Sequence, residues 1–131
     1  MERPRTTGAS PYEDLYGFSR AVRVGNRIIV SGTAPVEADG SSTPGGAADQ
    51  ARRCFAIILG AIEELGGTVA DVVRTRMFIT DPAHADAVGA VHGEVFGDVR
   101  PAATMVVVAA LLRPEWRIEI EAEALVGDET A

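Results

Sequence analysis

Residues 118–125, IEIEAEAL, alternate without a break between an apolar or small side chain and a polar or larger one, with Glu119, Glu121 and Glu123 at every second position. A period of two has one regular backbone solution, an extended strand whose successive side chains leave opposite faces. Ile118, Ile120, Ala122 and Ala124 therefore share the face that packs on a core, and the three carboxylates share the other. A slip of one residue would drive the whole charge row into that core, so the register of this strand is strongly specified. The chain must fold around a sheet with one face covered by its own helices. The charged face must meet water, a ligand or a partner.

The remaining segments supply that sheet and its cover. SRAVRVGNRIIVSG holds two β-rich runs around Gly25-Asn26, a tight-hairpin dipeptide, and predicts strands near 19–24 and 27–31. VEADGSSTPGG has turn formers and no period, so it is a loop. From Ala47 to Leu65, Ala51, Cys54, Ile58, Ala61, Ile62 and Leu65 recur at helical spacing, and Gly66-Gly67 ends that helix. DVVRTRMFIT is a strand by its β-branched content. Asp81-Pro82 then opens a second helix, whose inner side carries Ala85, Val88, Val91, His92, Val95 and Phe96. Strands near 103–111 and 117–125, joined by LRPEW, complete the order. With 131 residues the chain fits one domain, residues 16–126, after a loosely ordered segment 1–15 and before a tail 127–131. The fold class is α+β, two layers, with both helices on one sheet face.

Two helices leave the second face bare. The strand from Thr104 is apolar on both sides, with Val106 and Val108 opposite Met105 and Val107. The simplest cover is another copy of the chain, which predicts a homo-oligomer. Arg74 and Arg76, alternating on the central strand, are the expected partners of the glutamate row.

Charge and composition narrow the function. The chain carries 12 basic and 19 acidic residues, and the scattered arginines would have to build a phosphate-tracking surface against the overall field, so nucleic acid is not an expected partner. Every basic residue is arginine, which removes Schiff-base chemistry and any lysine base. Cys54 is the one cysteine, the N-terminal MERPRTTGASPYED lacks a signal-peptide core, and a cytoplasmic location is expected. The longest apolar run, MVVVAALL, is too short to cross a bilayer, so no membrane association is expected.

Several motifs together, VGNRIIVSG, GGTVADVVRTRMFITD, RPAAT and IEIEAEAL, resemble the reactive-intermediate deaminase (Rid, YjgF-type) family over nearly all of Gly17 to Val126. The resemblance implies a chorismate-mutase-like fold and a homotrimer, with ligand clefts between subunits. In the deaminating branch such clefts hydrolyse enamines and imines to 2-keto acids and ammonia. An arginine grips the substrate carboxylate there, and a glutamate positions or activates water. Position by position, Ser31 matches the cleft serine and Glu119 the glutamate. The arginine should follow Pro-Ala in RPAAT, where this chain has Ala103. Phe18 stands where an aromatic hydroxyl is usual, and Met105 where cysteine is common.

The lost arginine contact would cost a carboxylate ligand about 1.5–3 kcal/mol, or about one to two orders of magnitude in affinity. Arg100, three residues before Ala103, and Arg76, on the central strand, are candidate replacements. Arg100 is otherwise a solvated loop residue, and Arg76 an ion-pair partner of Glu121 or Glu123.

Glu119 is the candidate catalytic residue, because a carboxylate in a desolvated cleft has a raised pKa; its alternative role is a structural interface carboxylate. Ser31 lacks an inferable base and is read as a ligand contact or strand-end cap. His84 and His92, about 80° apart around the second helix, show no metal-ligand pattern and are read as structural or surface residues. Cys54 belongs to the helix core, and GGTVAD precedes a strand and so forms no phosphate loop. Trp116 either lines a cleft or pins its loop. No metal or other cofactor is implied. The expected protein is a Rid-type homotrimer acting on small reactive metabolites with altered specificity. A non-catalytic metabolite-binding trimer is the alternative, and the 2-iminobutanoate/2-iminopropanoate deaminase proper a less favoured one.

Overall fold

The alternation at 118–125 is realised as the central strand of a six-stranded mixed sheet in the computed structural model, which describes residues 3–127. In chain order the elements are β1 Arg5–Thr6, α1 Tyr12–Tyr16, β2 Ala21–Val24, β3 Arg27–Thr33, α2 Ala47–Glu64, β4 Val72–Ile79, α3 Ala85–Phe96, β5 Ala102–Val107 and β6 Ile118–Leu125. Across the sheet they run β1-β2-β3-β6-β4-β5. Neighbours are antiparallel except β4 and β5, whose parallel pairing requires the crossover that α3 makes. The α+β class and the two-helix layer hold.

Ile118, Ile120, Ala122 and Ala124 are all buried under α2, and Glu119, Glu121 and Glu123 leave the opposite face. Helix α2 contributes Ala51, Cys54, Phe55, Ile58 and Ile62 to the same core and packs on β3, β6 and α3. Phe55 meets Phe96 of α3 edge to face at 5.4 Å. The helix ends as the glycine pair requires. Gly66 takes φ +94°, its N–H reaches Glu63 O, and Gly67 N–H reaches Ile62 O, the paired bonds of a Schellman motif. Of the hairpin dipeptide only Gly25 adopts positive φ, +62°, as the first residue of a II′ turn does.

Three expectations need correction. Most of the segment expected to be loosely ordered, 1–15, is tied down across residues 3–15. Arg5 and Thr6 pair with Val22 and Ala21, and α1 carries the buried Glu13. The cause is a polar anchor without periodicity: Glu13 accepts the Gly8 N–H at 2.9 Å and lies 3.6 Å from Arg20. Second, the strand expected over 103–111 stops at Val107. Residues 108–117 then form an irregular connection, held where Trp116 packs with Ala34 and Val36. Third, Asp81-Pro82 does start a helical segment, with the Asp81 side chain accepting from Ala83 N, but its first turn is 3₁₀ and α3 proper begins at Ala85. Of the expected tail 127–131, residues 128–131 lie outside the described part.

The face opposite the helices stays open across β3, β6, β4 and β5. Its apolar side chains Ile29 and Val106 are 36 % and 41 % exposed. Arg76 bonds Glu121 at 3.0 Å as expected, but the other expected partner, Arg74, lies opposite Glu123 without forming an ion pair among the described residues, and Arg27 of β3 bonds Glu123 instead at 3.2 Å. No helix among the described residues is long and apolar enough to cross a membrane.

Candidate functional site

Glu119 sits near the start of β6, where β3 departs from regular pairing between Val30 and Thr33. Gly32 lies in that irregularity. A Cβ built on it would stand 3.3 Å from Glu119 Cδ, so the absent side chain makes the room that the carboxylate occupies. Glu121 and Glu123 each have an arginine partner. Glu119 has no hydrogen bond or ion pair among the described residues, and its neighbour across the β4 ladder is Phe78. Burial pushes its pKa above the usual carboxylate range, against the pull of Arg20 and with the added repulsion of Glu121.

Around it is a cavity of about 60 Å³, lined also by Phe18, Arg20, Leu112, Trp116 and the tyrosines of α1. At about 10–15 Å³ per water centre, that space holds a few waters or the head of a small metabolite, and no nucleotide. The walls are braced from outside. Tyr12 stacks on Tyr16 at 5.5 Å and meets Trp116 edge-on at 6.3 Å, and the Trp116 indole donates to Ser42 Oγ at 3.0 Å. Trp116 therefore does both of the jobs weighed for it.

Arg20 is the cation of this cavity, and it was not among the expected site residues. It precedes β2, is 6 % exposed, donates from Nη2 to Gly32 O, and lies 5.7 Å from the Phe18 ring centroid. Burial lowers its pKa, opposed by the charges of Glu13 and Glu119, but a guanidinium remains protonated. In sequence it is one of the scattered arginines, and the groups that single it out, Glu13 of α1 and the Gly32 carbonyl of β3, meet it only through the fold. No spacing in the sequence marks it, because its contact with Glu13 exists only once residues 3–15 dock.

The other expected residues fall elsewhere in the chain. Ser31 and Arg76 share an open-face groove of about 270 Å³ with Glu121, next to the Glu119 cavity, and Ser31 Oγ commits its proton to Ser19 O at 2.7 Å. Arg100 lines a separate cleft with Val72 and Leu125, at the end of the sheet away from Glu119. It has positive φ, +55°, and its N–H closes α3 by bonding Phe96 O at 2.9 Å. Ala103 and Met105 lie on the edge strand β5 beside Thr75 and Met77, on the helix side. From the register, Ala103 is two strands across and three residues along from Glu119, about 10 Å in each direction. One chain does not bring the two together.

The histidine and cysteine are accounted for by packing. His92 Nε2 lies 2.8 Å from Thr75 Oγ1 at the seam between α3 and the sheet, where burial lowers its pKa. Cys54 is fully buried, and desolvation pushes its thiol pKa upward, which keeps it protonated and unreactive.

The fold is a two-layer α+β domain with a half-buried carboxylate, unpartnered among the described residues, in a small aromatic-walled cavity. The family model described as Endoribonuclease L-PSP matches residues 9–126, and the chain belongs to that family, which includes the YjgF and Rid proteins. It is 36 % identical over 123 residues to an uncharacterised protein of Streptomyces coelicolor, covering 94 % of this chain and 92 % of that one. The crystal structure of a Mycobacterium tuberculosis member of the YjgF/YER057c/UK114 family matches with TM-score 0.87 and 39 % identity, over 95 % of this chain and 100 % of that one. The YjgF gene product of Escherichia coli matches with TM-score 0.80 and 31 % identity, over 92 % and 93 %.

Proposed function

We propose that the protein is a homotrimer whose intersubunit clefts hydrolyse small reactive imines or enamines, with Glu119 and a bound water as the chemical machinery. The observation that carries this is Glu119 itself, a desolvated carboxylate with no partner among the described residues, when the two other glutamates of its row are each paired with an arginine. Such a group exchanges protons nearer neutrality than an ordinary glutamate. In the reaction, Glu119 takes a proton from water as its oxygen bonds to the imine carbon, and returns that proton to nitrogen. The carbinolamine then breaks its C–N bond as Glu119 passes its hydroxyl proton to the leaving nitrogen, releasing ammonia and a carbonyl compound.

Two observations support the trimer. The open sheet face exposes Ile29 and Val106 beside its charge rows, and the family's cleft positions are scattered within one chain. A neighbouring copy that set its β5 edge against this face would bring an Ala103 and Met105 toward a Glu119. Light scattering at micromolar concentration is expected to return three times the 13.7 kDa chain mass. A monomer would sink the shared-cleft arrangement.

Specificity differs from the arginine-bearing branch because Ala103 supplies no guanidinium from β5. Freshly generated 2-iminobutanoate is the direct probe. Ala103→Arg is expected to raise kcat/KM by about 10- to 100-fold, the value of a charged hydrogen-bond pair. Wild-type turnover already equal to that of the Arg variant would refute the altered specificity. A protein that binds the keto-acid product but turns over no imine in either form would be the non-catalytic binder instead.

A further inference from the structure

We propose that Arg20 is the anion-recognising residue of the Glu119 cavity, and that the ligand is a small acid whose carboxylate meets Arg20 while an adjacent protonated nitrogen meets Glu119. The inference rests on Glu119's cavity being the reacting site. Arg20 and Glu119 converge on one residue: the guanidinium donates to the carbonyl of Gly32, and the Glu119 carboxyl packs where a side chain on Gly32 would stand. Both line the same cavity, with Phe18 against the guanidinium and Trp116 and Leu112 as the other walls.

The guanidinium is under-used. Of its five N–H donors, one goes to Gly32 O. Nη1 stops 3.6 Å short of Glu13 Oε2, and the buried Nε has no hydrogen-bond acceptor. Glu13 does not absorb the charge fully, because its Oε1 is engaged by the Gly8 N–H and its Oε2 forms no hydrogen bond. The Nε is sealed from the cavity, so a carboxylate there meets the guanidinium through its remaining Nη hydrogens, which make no hydrogen bond among the described residues. An anion alone would face Glu119, whereas a zwitterion presents its positive nitrogen there and its carboxylate to Arg20. A 2-iminium acid has this arrangement of charges on adjacent atoms. Neither Arg76, paired with Glu121, nor Arg100, at the far end of the sheet, lines this cavity.

Calorimetric titration with 2-aminobutanoate, whose ammonium and carboxylate stand on adjacent carbons, and with its amide, which keeps the ammonium and lacks the carboxylate, tests this without turnover. Wild type is expected to bind the acid at least tenfold more tightly than the amide. The ratio should fall in the order Arg20, Arg20→Lys, Arg20→Gln, reaching about one in the last, while Arg76→Gln and Arg100→Gln leave it unchanged. If Arg20→Gln does not fold, as read by circular dichroism, the drop in Arg20→Lys decides. Equal binding of acid and amide by wild type, binding of neither, or a ratio that survives in Arg20→Lys but collapses in Arg76→Gln or Arg100→Gln would overturn the assignment. An inactive protein that still discriminates through Arg20 upholds the inference and sinks the hydrolase reading. An active one without discrimination does the reverse.

Discussion

Glu119→Gln is expected to lower turnover of small imines by about 10²- to 10⁴-fold, the usual range for removing a positioned general acid–base group. The substitution keeps size and shape, and Glu119 anchors no ion pair among the described residues, so the loss should come with an unchanged oligomeric mass and circular dichroism spectrum. Two pH dependences should weaken with it. Wild-type activity should rise with pH through a midpoint above the ordinary glutamate value, because burial holds the proton on. Stability should move the opposite way. Folded Glu119 binds its proton more tightly than the unfolded chain does, so the folded state holds more protons between the reference value of 4.5 and the raised one, and stability falls as pH rises through that window. Urea midpoints measured between pH 4 and 7 should show this fall in wild type and a smaller one in the Gln variant. Full activity in Glu119→Gln would end the proposal that this carboxylate does the chemistry.

Ile120→Ala is expected to cost about 2–5 kcal/mol, read from urea or thermal unfolding. Ile120 is fully buried at the middle of β6, beneath α2 and opposite Met77 of β4. Removing it leaves a cavity that neither neighbour can fill without leaving its own place in the core. Its successor Glu121 is half-exposed and paired with a half-exposed Arg76, so Glu121→Ala should cost about 1 kcal/mol or less within one subunit. A larger cost that depends on protein concentration would come from the oligomer rather than the fold. A loss below about 1 kcal/mol for Ile120→Ala would contradict the register on which the charge row's placement depends.

The fold was legible wherever a period or a cap wrote it. The alternation of β6, the helical spacing of α2 and its Gly66-Gly67 end all survive in the structure because each is a local preference that agrees with burial. What escaped was non-periodic. The anchoring of residues 3–15 rests on Glu13 and Arg20, and the irregular 108–117 connection is held by its own Trp116 against Ala34 and Val36. Neither leaves a repeating mark.

The site divides along the same line. By itself the sequence determined that three carboxylates share one sheet face, that Glu119 is one of them, that a second helix-free face exists, and that Ala103 stands where a guanidinium would be expected. The first three follow from the two-residue period of a strand and the number of helices; the expectation at Ala103 comes from the family resemblance alone. Only the tertiary structure decided which carboxylate is unpartnered and which arginine stands beside it. Glu121 finds Arg76 directly across the β4 ladder and Glu123 finds Arg27 on the diagonal from β3, whereas Glu119 faces Phe78, the missing side chain of Gly32 and the buried Arg20. That convergence depends on an irregular strand and a docked N-terminal segment. Both are settled by packing between distant parts of the chain, which no local spacing encodes.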